Sequence, residues 1–148
     1  MRALVQRVAR AEVRVDGRVV GAIGRGILVL LGVAPDDDAA TAQALARRVV
    51  ELRIHADAEG RTNLALGDVG GSVLAVSQFT LYAHTRRGRR PGFTGAAEPA
   101  HAAALYDSFC AGLEELGVPT ERGWFGASME VELVNDGPFT LWLDTADR

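Results

Sequence analysis

The chain has 148 residues, 48% of them hydrophobic and 24% charged, the balance of a globular protein rather than a disordered one. Its length suits one domain at about 150 residues each, read here as a single unit over 1–148. The 16 basic residues against 19 acidic ones leave a formal net charge of −3, which excludes a protein that holds nucleic acid through its overall charge.

In chain order, the first 35 residues read as strands. Val13 and Val15 alternate with Arg14, and Asp16-Gly17 then precedes Val19-Val20, a two-residue hairpin signal because Asp and Gly tolerate positive φ. The apolar run Gly26–Val33 predicts a strand buried on both faces. Asp36-Asp37-Asp38 offers N-cap oxygens to a helix whose apolar stripe is Leu45, Val49 and Leu52, with Arg47 and Arg48 towards solvent. Residues 57–71, rich in Gly, Asp and Asn, predict irregular structure. Val73–Gln78 predicts a second buried strand, followed by a long polar loop through Gly95. Pro99 suits the first turn of a second helix, with Leu105, Phe109, Leu113 and Leu116 as its buried face and Gly117 with Pro119 closing it. Strands return with Met129, Val131 and Leu133; Asn135-Asp136-Gly137-Pro138 then turns the chain before Phe139, Leu141 and Leu143. Two helices among strands without a regular alternation predict an α+β fold, a curled mixed or antiparallel sheet flanked by both helices.

Charged residues interrupt the apolar ones between Met1 and Arg7, unlike the apolar region of a signal peptide. No apolar run approaches the ~20 residues of a membrane span, so a soluble cytoplasmic protein is expected. The single cysteine, Cys110, excludes an internal disulfide framework and a thiolate metal cluster, and within a helical apolar pattern it reads as a core filler. His55, His84 and His101 show no metal-ligand spacing, and neither a metal nor a cofactor is expected. His84, near Ser77, is the one histidine to consider as a general base.

Charge is unevenly placed. Every basic residue is Arg, and residues 84–97 hold four of them (Arg86, Arg87, Arg89, Arg90) and no acid, whereas 98–148 hold ten acids and two Arg. A polyanion responds to such a local field rather than to the net sum. Next to this loop, Ser77-Gln78-Phe79-Thr80 places two hydroxyls and an amide where a buried strand ends. Taken alone these side chains would satisfy loose backbone groups, as Asn135–Pro138 alone would make a hairpin turn. Phosphate-loop, zincin and serine-hydrolase motifs are absent.

Together these residues resemble the bacterial and eukaryotic D-aminoacyl-tRNA deacylases. The opening Arg2-Ala3-Leu4-Val5-Gln6-Arg7-Val8, the Ser77-Gln78-Phe79-Thr80-Leu81 motif, the arginine-rich Thr85–Gly95 loop and the Asn135–Thr140 turn fall in the family's order, from Met1 to about Asp144. Phe139 stands where many members carry Val, and Gly92 where Ser is usual. The resemblance implies a carboxylic ester hydrolase that frees tRNA from a D-amino acid on its terminal adenosine, in translation quality control. It implies a homodimer, barrel-like as a pair, with sites at the subunit interface, and neither DNA nor a membrane as partner. It further implies that Gly137-Pro138 is cis and enters the partner subunit's site, where main-chain carbonyls exclude an L side chain. Glycine has no side chain to exclude, so glycyl-tRNA, including glycine misloaded on alanine tRNA, is expected to react as well. Arg7 is associated with supporting that turn, and Arg86, Arg87, Arg89 and Arg90 with tRNA phosphates, contacts that read no base sequence.

The residues expected to carry the chemistry are Ser77, Gln78, Phe79 and Thr80. Thr80 has no adjacent base in the sequence, and a threonine hydroxyl without one is a weak nucleophile. The favoured reading is that backbone N–H groups at Phe79-Thr80 bind the developing oxyanion while the adenosine 2′-OH helps activate water. The competing readings are a non-catalytic RNA-binding module using the arginine loop, and a hydrolase of small D-amino-acid esters.

Overall fold

A computed structural model describes residues 1–86 and 88–147; Arg87 and Arg148 lie outside the described residues. The chain runs through β1 (Arg2–Val15), β2 (Arg18–Ile23), β3 (Gly26–Gly32), α1 (Ala39–Glu51), β4 (His55–Ala56), β5 (Thr62–Leu64), β6 (Ser72–Ser77), α2 (Pro99–Glu115), β7 (Thr120–Arg122) and β8 (Glu130–Asp144). Short 3₁₀ turns cover Gly67–Val69 and Phe79–Tyr82. Asp16 and Gly17 take φ of 50° and 76°, the two positive values of the tight turn expected between β1 and β2.

β1 organises the sheet. One edge pairs antiparallel with β3 through Arg2–Val8 and with β2 through Ala11–Val15, while the other pairs with β8 along most of its length. β6 lies parallel to β3, and β7 parallel to β6, so the sheet is mixed, in the order β2-β1-β3-β6-β7. It curls until β7 approaches β2: a Cβ on Gly21 would lie 2.7 Å from the Arg122 carbonyl oxygen, and glycine there lets the two backbones meet. The result is a nearly closed, barrel-like sheet with two helices, an α+β fold.

Two apolar layers flank the sheet. On one side Ala3, Val5, Ile27, Val29, Val73 and Ala75 pack against Leu45 and Val49 of α1 and Phe109 and Leu113 of α2; inside the curl Val8, Ala11, Val13, Leu28, Leu74 and Val76 form a second core. β3 and β6 are therefore buried on both faces, as their unbroken apolar runs predict. Asp38 caps α1 by accepting the Thr41 N–H at 2.7 Å. Cys110 is fully buried in the helix-facing core, and burial pushes its thiol up to about 11, the chemistry of a filler rather than a nucleophile. Among the described residues no helix is long and apolar enough to cross a membrane.

Several local expectations are corrected. α1 buries Ala42, Leu45, Ala46 and Val49, whereas Leu52, its C-cap, is only half-buried and packs at the margin of the same core. Leu116 is 37% exposed, because α2 has ended and Gly117 turns the chain with φ 78°. Residues 57–71 hold β5, paired with β4, and a 3₁₀ turn. The loop expected through Gly95 opens with the Phe79–Tyr82 turn and is pinned by reciprocal backbone bonds between His84 and Gly92.

The largest correction concerns Asn135–Phe139, which does not reverse the chain. β8 pairs Asn135 with Val8 and Thr140 with Gln6, so four residues, Asp136 to Phe139, stand opposite Arg7 alone as an outsized bulge. On either side the strand keeps its direction but changes layer. Val131 and Leu133 pack on the inner core, and Leu141 and Leu143 on the helix-facing one. The excursion lets one long strand serve both cores.

Candidate active site

Where β6 emerges from the sheet, a cleft of about 530 Å³ opens between the Phe79–Tyr82 turn, the start of α2 and the segment Phe125–Val131. That size falls in the ~300–1,000 Å³ range of small-molecule sites. Ser77, the last residue of β6, and Gln78 and Phe79 line it. The Gln78 N–H donates to the Leu31 carbonyl at 2.7 Å, extending the β3–β6 pairing by one residue. After that the chain leaves the ladder. Among the described residues the amide N–H groups of Phe79 and Thr80 find no acceptor, as expected at the start of a turn whose bonds run from Leu81 to Gln78 and from Ala83 to Thr80.

Thr80 does not line the cleft wall itself. Its Oγ1 accepts a hydrogen bond from the side-chain Nε2 of Gln78, a residue that does line the cleft. Phe79 is 54% exposed and meets Phe93 edge to face, with centroids 4.9 Å apart. Phe93 and Phe125 add to this aromatic lining, and Leu31, Val76, Met129 and Val131 supply aliphatic and thioether surface. No Asp, Glu, His, Lys, Arg, Tyr or Cys is among the described lining residues. These described residues can therefore offer dipoles, amide donors and stacking surfaces, but no side chain that titrates near neutral pH.

The other expected site residues form two separate groups. Arg7, from β1, reaches into the bulge it faces. Its Nε donates to the Asp136 carbonyl at 3.0 Å and lies 3.2 Å from the Asp136 carboxylate; its Nη1 donates to the Ile54 carbonyl at 2.5 Å; its guanidinium lies 5.0 Å from the Phe139 ring centroid. Asn135 Nδ2 ties the base of the bulge by donating to the carbonyls of Arg7 and Phe139 at 2.9 and 3.0 Å. Gly137 has φ +133°, and the Gly137-Pro138 peptide is cis. Neither of these two residues nor Arg7 touches the cleft of the same chain.

The second group is the arginine loop. Arg86, Arg89 and Arg90 are exposed, and Arg86 and Arg90 line a hollow of about 370 Å³ with His84, Gly92 and Thr94. Arg87 lies outside the described residues. The hollow adjoins the cleft through Phe93, which sits between Gly92 and Thr94. His84 belongs here and not among the cleft's lining residues, which corrects its reading as a base near Ser77. The backbone bridge to Gly92 fixes its place, and its Nε2 lies 2.9 Å from where a Cβ on Gly95 would stand.

Local sequence patterns missed Phe125, Met129 and Val131 as cleft residues, since they arrive from a distant segment. They also missed His55, which is fully buried and has no hydrogen-bond partner for either ring nitrogen among the described residues. Burial first, then the Arg25 and Arg7 charges, lower its pKa below 6.5 against the opposing pull of Asp136. His101 Nε2 lies 3.0 Å from the Asp37 carbonyl, a structural contact.

Fold and sequence together define a hydrolase of aminoacyl-tRNA esters. Residues 4–144 match the family described as D-Tyr-tRNA(Tyr) deacylase, and the chain belongs to that family. It is 60% identical over 145 residues to a D-aminoacyl-tRNA deacylase of Anaeromyxobacter dehalogenans, covering 98% of this chain and 97% of that one. It is 57% identical over 147 residues to a protein of the same description from Thermomicrobium roseum, covering 99% and 96%. A solved structure described as c-Myc DNA unwinding element binding protein superposes with a TM-score of 0.92 at 38% identity, over 98% of this chain and 99% of that one. A probable eukaryotic D-amino acid tRNA deacylase superposes at 0.81 with 20% identity over 96% and 97%, a likeness of fold alone.

Proposed function

We propose that the cleft receives the aminoacylated 3′ adenosine of tRNA and hydrolyses its ester when the amino acid is D or is glycine, including glycine misloaded on alanine tRNA. The observation that carries the mechanism is the lack of any titratable side chain among the cleft's described lining residues. With no general base there, water is activated by the substrate itself: the adenosine 2′-OH orients it and helps take its proton. The water oxygen adds to the ester carbonyl carbon, negative charge gathers on the carbonyl oxygen, and the Phe79 and Thr80 amides stabilise it. The bond to O3′ then breaks, and O3′ leaves with a proton as free tRNA. Ser77 and Gln78 shape and orient the site.

Chirality is filtered by a second copy of the chain. In this reading the protein is a homodimer in which Gly137 and Pro138 of one subunit enter the cleft of the other, and their main-chain carbonyls occupy the space an L side chain needs. A D side chain points away, and any D residue passes because only the Cα configuration is sensed. Such rejection needs an element that does not yield, and the restraint of the bulge by Arg7 and Asn135 supports this role. Arg86, Arg87, Arg89 and Arg90 meet acceptor-end phosphates next to the cleft, without sequence preference. The protein works on tRNA in the cytoplasm, with neither DNA nor a membrane as partner.

The test is to incubate the purified protein with D-tyrosyl-tRNA, L-tyrosyl-tRNA and a free D-tyrosine ester and follow deacylation. Rapid loss of the first alone is the expected result. Loss of none would leave the non-catalytic RNA-binding module, and cleavage of the free ester would favour a hydrolase of small D-amino-acid esters.

A further inference from the structure

We infer that Arg2, steadied by Asp144, is a positioning residue that clamps the Phe79–Tyr82 turn from outside the cleft. Its guanidinium joins three parts of the chain. Nε donates to Asp144 Oδ2 at 2.9 Å, at the end of β8, and Nη1 donates to the Leu81 carbonyl at 2.9 Å, inside the turn. The guanidinium carbon also lies 4.3 Å from the centroid of the Tyr82 ring and 5.6 Å from that of Trp142, both within cation–π range.

The turn also rests on Gly32 of β3, the residue that pairs with Arg2 across the β1–β3 ladder. A Cβ there would come within 3.2 Å of Leu81 Cβ, Tyr82 Cδ2 and the Gln78 carbonyl oxygen. The turn thus packs closely on a strand where a Cβ would be tight, and is tied there by an arginine whose own orientation is set by a carboxylate. Asp144 is in turn fixed by accepting the Ala146 N–H at 3.0 Å.

This matters for the reaction because Leu81 follows directly after Phe79 and Thr80. A 3₁₀ turn of four residues has little freedom to move one peptide without rotating the next. On the proposed reading, on which this inference rests, the Phe79 and Thr80 amides must meet a developing charge, and such donors have to be held to about 0.5 Å and 10–20°. Arginine suits the task because its donors form a rigid planar fork that serves a carboxylate on one side and a carbonyl on another. Lysine carries the same charge but has a single nitrogen on a flexible stem, so it cannot hold Asp144 and the Leu81 carbonyl in the same fixed geometry.

The experiment compares the wild type with Arg2→Lys and Arg2→Met, in the full chain. Three readouts are taken: single-turnover deacylation of D-tyrosyl-tRNA, affinity for a non-hydrolysable 3′-amide analogue of D-tyrosyl-adenosine, and amide hydrogen exchange at Leu81 and Ala83. Arg2→Lys is expected to slow the single-turnover rate about ten- to a hundredfold, the scale of a small misplacement. Analogue affinity should change less than about twofold, since ground-state contacts are kept. Exchange at Leu81 and Ala83 should accelerate about tenfold while β6 amides keep their wild-type protection. Arg2→Met should exceed Arg2→Lys in both effects. Unchanged exchange in the turn, or a rate that falls only in step with affinity and melting temperature, would overturn the clamp. If the wild type leaves D-tyrosyl-tRNA intact, the proposed activity fails, and the exchange measurement still decides whether Arg2 holds the turn.

Discussion

Gly137→Ala perturbs the bulge at its least tolerant point. The residue has φ +133°, which L side chains rarely adopt, and a Cβ would stand 2.9 Å from Arg7 Nη2, 3.0 Å from the Phe139 nitrogen and 3.2 Å from Phe139 Cβ. The Arg7 end is a side chain, but it is pinned to the Ile54 and Asp136 carbonyls and cannot swing away freely. The Phe139 nitrogen is backbone and moves only with the strand. Backbone strain of this kind costs about 1–3 kcal/mol, and at about 1.4 kcal/mol per factor of ten the wild-type loop conformation loses roughly five- to a hundredfold in population. The bulge is a surface excursion, so the cost falls on its local geometry more than on the core. Single-turnover deacylation of D- and L-tyrosyl-tRNA reads the effect directly, with a thermal melt to show that the variant is folded. The D:L rate ratio is expected to fall about five- to a hundredfold, chiefly because L-tyrosyl-tRNA becomes a substrate. A folded Gly137→Ala variant with the wild-type D:L ratio would refute the role of this turn as the filter.

Thr80→Val removes the acceptor for Gln78 Nε2 but no base and no amide donor, so turnover should fall only about three- to tenfold, the worth of one hydrogen bond; a loss of several orders of magnitude with binding intact would make Thr80 the nucleophile. His55→Leu should flatten part of the pH dependence of stability. The folded imidazole titrates below its ordinary 6.5, so below that pH the unfolded chain binds more protons, and wild-type stability falls as pH drops through 6.5 towards the folded value. In urea unfolding the stability of the variant minus that of the wild type should rise by up to about 1.4 kcal/mol from pH 7.5 to 5.5, and a pH-independent difference would be evidence against the buried neutral imidazole. Arg86→Ala combined with Arg90→Ala should weaken tRNA binding and make log K against log salt shallower by about 0.7–0.9 for each phosphate no longer neutralised, with the D:L ratio unchanged; an unaltered slope would remove the loop from the interface.

What local sequence could reveal, and what it could not, follows the reach of the interactions involved. The β1–β2 turn is legible because Asp16-Gly17 alone supports two positive φ values, and β3 and β6 because a strand covered on both faces needs no polar alternation. Helix ends are less so: Leu52 and Leu116 continue the apolar spacing of α1 and α2, yet each sits just past the last helical residue, where period no longer dictates direction. Asn135–Pro138 misleads for a stronger reason. Each residue favours a turn, and only the register with β1, at the far end of the sequence, shows that the strand resumes its course. The Ser77–Phe79 lip of the cleft is likewise local, while its far wall at Phe125–Val131 depends on how β7 and β8 return to the sheet.

On the proposed reading the site has two requirements that pull in different directions, and the chain answers them in different places. Catalysis without a side-chain base asks for neutral dipoles in an apolar, stacking environment, which the Ser77–Thr80 turn and the three phenylalanines around the cleft provide. Rejection by shape asks for main chain that does not move, which strands supply better than loops do. The bulge is built into β8 and tied to β1 by Arg7 and Asn135, so its tip inherits the stiffness of the paired strands behind it. None of that tip lines the cleft of its own chain. In the proposed dimer the separation becomes useful: each subunit can hold its catalytic turn and its filter on independent supports, Arg2 for one and Arg7 for the other, and the two are brought together only by assembly. A monomeric variant that kept both supports should therefore bind tRNA through its arginine loop and lose discrimination between D and L, whereas damage to either support within an intact dimer should cost rate or selectivity separately.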